Sequence, residues 1–180
     1  NNPTGTWFSR EAFETFMTRV AAGVLVVLDE AYVEYVTESG VLNGFDYVDR
    51  FPNLLVSRTF SKAYGLASLR VGYAIAHPDV TNILNRVRQP FNVNSFALAA
   101  AAASLRDDDF VVRSRDLNAS GMRQLERGLK DLGLDFIPSR ANFIAFDAKC
   151  PAPEGFQALL KEGVIVRPIA NYGMPSWVRV

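Results

Sequence analysis

Cysteine, histidine and net charge are what this sequence has least of. Cys150 is the only cysteine and His77 the only histidine among 180 residues. One thiol can form no internal disulfide, and such a chain suits a reducing compartment, so a cytoplasmic location is expected. One histidine and one cysteine cannot furnish a usual transition-metal ligand set, so no metal is expected. Nineteen basic residues cancel nineteen acidic ones, which removes the electrostatic reason to expect nucleic acid or an anionic membrane as partner. The longest apolar runs, 24–28 and 96–103, are too short to cross a bilayer. No charged-then-apolar leader opens the chain, so a secretory signal is not expected. The chain has no initiating Met, opens inside a turn at 1–5 and stops at Trp177-Val178-Arg179-Val180. It reads as a piece of a longer protein.

What is present is an alternation of strand-like and helix-period segments. With 49% hydrophobic residues the chain can bury a core. Ser9 can cap a helix with Phe13, Phe16, Met17 and Val20 on its apolar face. Val24-Leu25-Val26-Val27-Leu28 lacks polar alternation and suits a strand covered on both faces, as in a parallel sheet. Segments 54–57 and 71–76 are further strand candidates. A helix from Pro78 places Val80, Ile83, Leu84 and Val87 together, with His77 at its start. Beyond residue 95 come an alanine-dense helix over 96–105 and the acidic run 107–109. A long helix then carries Leu125, Gly128, Leu129 and Leu132, broken by Gly133 and Pro138. Strands are expected at 142–147, 164–169 and 177–180, with a helix through Phe156, Leu159 and Leu160 that Gly163 can end. This pattern predicts an α/β first domain over 1–105 and a smaller α+β domain over 106–180.

Three short segments carry chemistry. Thr59-Phe60-Ser61-Lys62 follows a strand, where open α/β sheets bind ligands. Its hydroxyls, with the planar fork of Arg70, can surround a phosphate. Lys62 beside a cation can serve as a Schiff-base nucleophile; it can equally be a solvated loop charge, and Arg70 a surface residue. Asp29 ends the apolar run, where a buried acid needs a cationic partner such as a protonated pyridine nitrogen. Tyr32 could offer its phenol to the same ring. The alternative is an Asp that caps the next helix and a Tyr packed as core. Asn2-Pro3-Thr4-Gly5 is a turn whose Asn amide can donate to a ligand oxygen, though such a turn often has no ligand. Cys150 reads as a bystander.

Taken together, Asn-Pro-Thr-Gly at 2–5, Asp-Glu-Ala-Tyr at 29–32 and Ser-Lys-Ala-Tyr-Gly-Leu-Ala-Ser-Leu-Arg-Val-Gly-Tyr at 61–73 resemble the fold-type I, class I/II aminotransferases. The resemblance implies a partial large domain with a mainly parallel sheet, a partial small domain and pyridoxal 5′-phosphate as cofactor. It implies that Lys62 holds the cofactor covalently and moves the substrate α-proton. By the same likeness Asp29 pairs with the ring nitrogen, and Asn2 and Tyr32 bond the ring oxygen. Arg70, Ser61 and Thr59 hold the phosphate.

The tail, with Asn142-Phe143, Gly163-Val-Ile-Val-Arg167-Pro168, Tyr172-Gly173-Met-Pro175 and Trp177-Val-Arg179-Val, is similar to the histidinol-phosphate branch of that family. This implies transamination between histidinol phosphate and 2-oxoglutarate, giving imidazole acetol phosphate and glutamate in histidine biosynthesis. Arg179 would take the carboxylate of glutamate or 2-oxoglutarate and lie near the phosphate of histidinol phosphate. Arg167 would assist with that phosphate, or form a strand-end salt bridge. A homodimer is implied, with residues 91–95 near its interface. An aromatic aminotransferase, a phosphothreonine decarboxylase and a non-catalytic regulatory domain share the same machinery. The resemblance also implies parts upstream of Asn2, among them a phosphate loop and a ring-stacking aromatic. The isolated chain is therefore expected to bind the cofactor weakly and turn over little.

Overall fold

The computed structural model describes residues 2–38 and 41–180; Asn1, the first residue of the opening turn, lies outside them. The chain divides into two compact units, Phe8–Arg115 and Asn1–Trp7 with Asp116–Val180.

The Phe8–Arg115 unit begins with helix α1 (Arg10–Arg19). Ser9 caps it by accepting the Ala12 N–H at 3.2 Å, which satisfies one of the orphan donors of a helix start. Phe13 and Met17 are buried with Leu28, Leu42, Tyr47, Leu54 and Val56 in one core cluster. Phe16 and Val20 lie on the same apolar stripe, yet Phe16 is 52% exposed. Strand β1 (Val26–Asp29) runs parallel to β2 (Leu54–Thr59), with Asp29 beside Ser57. Strand β3 (Gly72–Ala76) closes the other edge of β2 and runs antiparallel to it. Among the described residues β1 is thus an edge strand with one neighbour. Its expected cover on two faces is absent among the described residues: Leu28 is buried while Val27 is 59% exposed. Counting apolar residues foretells the strand but not which faces find partners.

Pro78 at the first turn and His77 at the cap start α2 (Pro78–Val87). The apolar stripe expected there exists, but most of it is uncovered: Val80 is half-buried, while Ile83 is 59% and Val87 74% exposed. Asn94 caps α3 (Ser95–Ser104), accepting the Ala97 N–H at 2.8 Å. Ala97 and Ala101 of that helix pack on Phe60 and Val71, which flank the loop between β2 and β3. Helix α4 (Asp108–Asp131) follows.

The second unit is built on an antiparallel sheet: β4 (Phe136–Ile137), β5 (Ala145–Asp147), β6 (Arg167–Pro168) and β7 (Trp177–Arg179), in the order β4-β5-β7-β6. β4 was not foreseen, and its two residues are too few to show a period. Helix α5 (Ala152–Lys161) sets Ala152 against Val166 and Val178, with Phe156 and Leu159 beside them. Gly163 ends it at φ 80. There the Val164 N–H returns to the Leu159 carbonyl at 2.9 Å and the Gly163 N–H to Leu160 at 3.0 Å, a left-handed cap that glycine adopts without strain. Gly133 ends α4 in the same way. Among the described residues no helix is long and apolar enough to cross a membrane, and no acid, His and Cys group suited to a metal occurs.

Candidate functional site

The carboxyl ends of β1 and β2 lie side by side, and the candidate residues of the Phe8–Arg115 unit leave from them. Asp29 ends β1 with its side chain exposed, and its Oδ1 accepts the Ala31 N–H at 3.0 Å. Tyr32, one turn on, is buried. Lys62 places its Nζ 5.3 Å from the centre of the Tyr32 ring, close enough for the ring face to attract an ammonium group. Thr59 ends β2, and its Oγ1 accepts the Ser61 N–H at 3.1 Å.

The loop from Phe60 to Val71 is closed by its own backbone. Gly65 donates to Lys62 at 2.9 Å, Leu66 to Phe60 at 2.9 Å and Phe60 to Val71 at 3.2 Å. Arg70 closes it in the left-handed region, at φ 54, a conformation that costs a non-glycine residue about 1–3 kcal/mol and recurs at ligand sites. The turn directs the Arg70 Nη1 to the Ala67 carbonyl at 2.8 Å and towards Ser61 Oγ at 3.5 Å. Lys62, Ser61 and Arg70 therefore share one loop, with Thr59 at the end of the strand that leads into it, Tyr32 beside Lys62 and Asp29 ending the adjoining strand.

Strand parity explains which face they use. Asp29, Ser57 and Thr59 alternate with Glu30 and Arg58, so the first three point to one side of the sheet and the last two to the other. On the Asp29 side, β3 contributes only Gly72 and Ala74 opposite Thr59 and Ser57. These short side chains leave the floor beside the acid and hydroxyls low.

The buried acid at this strand end is Glu30 rather than Asp29. The Glu30 side chain is 5% exposed and pairs with Arg58, which is 17% exposed. Arg58 donates to Glu30 Oε2 from Nε at 2.9 Å and Nη2 at 2.8 Å. Gly44 N–H donates to Oε1 at 2.6 Å, and Asn43 Oδ1 accepts from Arg58 Nη2 at 2.8 Å. The guanidinium also lies 3.8 Å over the Phe45 ring. Burial by itself would lower the Arg58 pKa, but the Glu30 carboxylate outweighs it and holds the group charged. Burial raises the carboxyl pKa of Glu34, in the next turn. Glu30 and Arg58 carried no role in the sequence reading. Parity in the sequence puts each of them on the face opposite its neighbour, Asp29 or Thr59, but that the two share a face follows only from the β1–β2 register.

Asn2, Arg167 and Arg179 lie in the other unit. Asn2 Oδ1 accepts from Arg179 Nη1, and the Arg179 guanidinium sits 4.6 Å over the Phe143 ring. Arg167 and Arg179 are direct cross-strand partners in the β6–β7 ladder. Like charges so placed repel unless an anion lies between them. His77 is the N-cap of α2, its Nδ1 accepting the Asp79 N–H at 3.3 Å, and Cys150 is a half-buried free thiol.

An amine, two hydroxyls, a guanidinium and a carboxylate at the carboxyl end of a parallel strand pair suit a phosphorylated carbonyl compound with a basic ring. The chain belongs to the aminotransferase class I and II family, which matches residues 1–180 and is pyridoxal-phosphate-dependent. It is 63% identical over its whole length to histidinol-phosphate aminotransferase 2 of Pseudomonas aeruginosa, and 61% identical to the enzyme of that name from Pseudomonas fluorescens. It covers 49% of each of them, so the chain spans about half the length of these relatives. The solved structure of histidinol-phosphate aminotransferase from Sinorhizobium meliloti in complex with pyridoxal-5′-phosphate superposes with a TM-score of 0.88 at 31% identity, over 99% of this chain and 49% of that one. The expected fold-type I architecture is the one these neighbours share.

Proposed function

We propose that the chain is the lysine-bearing half of a pyridoxal-phosphate-dependent transaminase that exchanges an amino group between histidinol phosphate and 2-oxoglutarate. The observation that carries this reading is Lys62 above the Tyr32 ring, on the loop that also holds Ser61 and Arg70 and starts from Thr59 at the end of β2. The residues present fit the cofactor. Arg70, Ser61 and Thr59 offer a cation and hydroxyls to a phosphate. Asp29, exposed at its strand end, makes no ion pair with an arginine among the described residues and can hold the proton on a ring nitrogen. The low floor at Gly72 and Ala74 leaves room for a flat ring. When bound, pyridoxal phosphate supplies a carbonyl that takes up the amino group and a ring that withdraws electrons.

The chain's own residues then have distinct tasks. Lys62 would hold the cofactor through its amine, and the same amine is placed to move the proton of the substrate α-carbon. Tyr32 donates to a ring oxygen, and Asn2, with its Oδ1 held by Arg179, keeps its amide N–H for a ligand oxygen. Arg179 binds the carboxylate of glutamate or 2-oxoglutarate. Its cross-strand pairing with Arg167 supports a dianionic phosphate as the second ligand of that pair. In the same reading residues 1–105 belong to the large domain and 106–180 to the small one, and the whole protein is a cytoplasmic homodimer. Exposed apolar side chains such as Val27, Val87, Phe91 and Phe96 support cover by the other half of the protein and a second subunit.

Borohydride reduction of the cofactor-loaded full-length protein, followed by peptide mapping, tests the lysine. An adduct on any residue other than Lys62 refutes the reading. A panel of amino donors and phosphorylated acceptors tests the substrate. Release of carbon dioxide from phosphothreonine, in place of amino transfer, would assign the protein to a decarboxylase.

A further inference from the structure

The Glu30–Arg58 pair is the most completely bonded polar group beside the candidate site, and nothing proposed above uses it. Glu30 is joined to β2 by its backbone as well, its N–H donating to the Ser57 carbonyl at 2.9 Å. Its carboxylate then takes three donors on the far side of the sheet from Asp29, two from Arg58 and one from Gly44. Position 44 has to be glycine for this approach. A Cβ there would stand 2.6 Å from Leu28 Cδ2, 2.8 Å from Val56 Cγ2 and 3.0 Å from Glu30 Oε1. Asn43 completes the set, taking Arg58 Nη2 on its Oδ1 and giving its own amide to Asp46 at 2.9 Å.

Stability is a poor reason for such a pair. Taking two charges out of water offsets their attraction, and packed apolar side chains of equal volume commonly serve as well. What directional bonds to both oxygens fix is orientation. One backbone step separates Glu30 from Asp29, and one separates Arg58 from Thr59. Thr59 in turn holds the Ser61 N–H, next to Lys62.

We propose that Glu30 and Arg58 are positioning residues for the cofactor face: they lock the ends of β1 and β2 from behind and so fix the spacing of Asp29 from Thr59, Ser61 and Lys62. This rests on Lys62 being the cofactor lysine. A site of this kind must hold its groups to within about 0.5 Å, and misplacement by about 1 Å from a distant change can cost about a hundredfold. A lysine at 58 keeps the charge but not the fork, and a glutamine at 30 keeps the shape but not the charge.

The test uses the full-length holoenzyme. Peptide mapping after borohydride reduction comes first, and an adduct away from Lys62 overturns both the lysine reading and this inference. With the adduct on Lys62, the variants judge the pair alone. Arg58→Lys and Glu30→Gln are each expected to weaken pyridoxal phosphate binding about tenfold or more and to move the pH midpoint of the bound cofactor's visible absorbance. Tyr47→Phe is the control. It loosens the same unit by removing a 2.6 Å bond to Glu14 and should leave both readouts at the parent's values. If Arg58→Lys yields no folded protein, Glu30→Gln decides. Variants with a lower unfolding midpoint but the parent's cofactor affinity and pH midpoint overturn the proposal, as does a control that moves them equally.

Discussion

Replacing Gly44 with alanine adds one methyl group to the most crowded point behind the site. The new Cβ would come within 3.0 Å of three atoms, on Leu28, Val56 and Glu30. Two of those neighbours belong to the core cluster that also holds Phe13, Tyr47 and Leu54, so neither can swing aside freely. Overpacking of this sort costs about 1–3 kcal/mol. Displacing the Gly44 N–H from a buried carboxylate at 2.6 Å adds a comparable loss, about 1.5–3 kcal/mol for a charged acceptor. The stiffer unfolded chain of the alanine variant gives back about 0.4–1 kcal/mol. The net expectation is a loss of about 1.5–5.5 kcal/mol, read from urea unfolding of the full-length protein as a lower midpoint at unchanged slope. Gly121→Ala is the matched comparison. Gly121 lies within α4, and a Cβ there would meet nothing within 4 Å. That change should stabilise by about 0.5–1 kcal/mol through helix propensity alone. A Gly44→Ala protein as stable as its parent would refute the packing argument and the close approach of residue 44 to Glu30.

Gly5→Ala should be more damaging still within its own unit, by about 3 kcal/mol or more, because it combines overlap with a left-handed backbone angle that is unfavourable for alanine. Gly5 sits at φ 77 and the added Cβ would overlap the Ser139 side chain; the unfolding midpoint measures the loss. Glu34→Gln should raise stability at neutral pH and flatten its pH dependence. Burial holds the Glu34 carboxyl above its ordinary value of 4.5, so the folded state binds the proton more tightly and stability falls as pH climbs from there through the raised pKa. Unfolding midpoints measured across that range check the sign, and a parent curve that rises instead would contradict it. Arg167→Ala should raise KM for histidinol phosphate with little effect on glutamate, whereas Arg179→Ala should raise KM for both; equal effects of Arg167→Ala on both substrates would detach it from the phosphate.

Local signals carried most of the secondary structure. Ser9, His77-Pro78, Gly133 and Gly163 announce helix ends through neighbours a few residues away, and the fold uses each of them that way. Thr59, Ser61, Lys62 and Arg70 were also legible as a group, since one strand end and the loop that follows it contain them. The Glu30–Arg58 pair was not, because its members stand 28 residues apart and meet only after β1 and β2 take their register. Of the two acids at the end of β1, Glu30 is the buried one and Asp29 the exposed one, a difference that the apolar run ahead of them does not encode. Exposure of Val27, Ile83 and Val87 escaped the reading for a related cause: periodicity tells which side chains share a face, and only tertiary partners decide whether that face is covered.

The alternation at the end of β1 also limits how this segment can change. Asp29 and Glu30 carry the same charge and differ by one methylene, so composition hardly separates them. Order does. A slip of the strand by one residue, or an insertion ahead of it, would turn the longer acid towards the ligand side and thrust the shorter one at Arg58, out of reach of Gly44. Substitution can therefore explore this strand one side chain at a time, while frame-shifting changes in its length would dismantle both faces at once. Exchange of the two acids, leaving charge and composition untouched, should be as harmful as the loss of either.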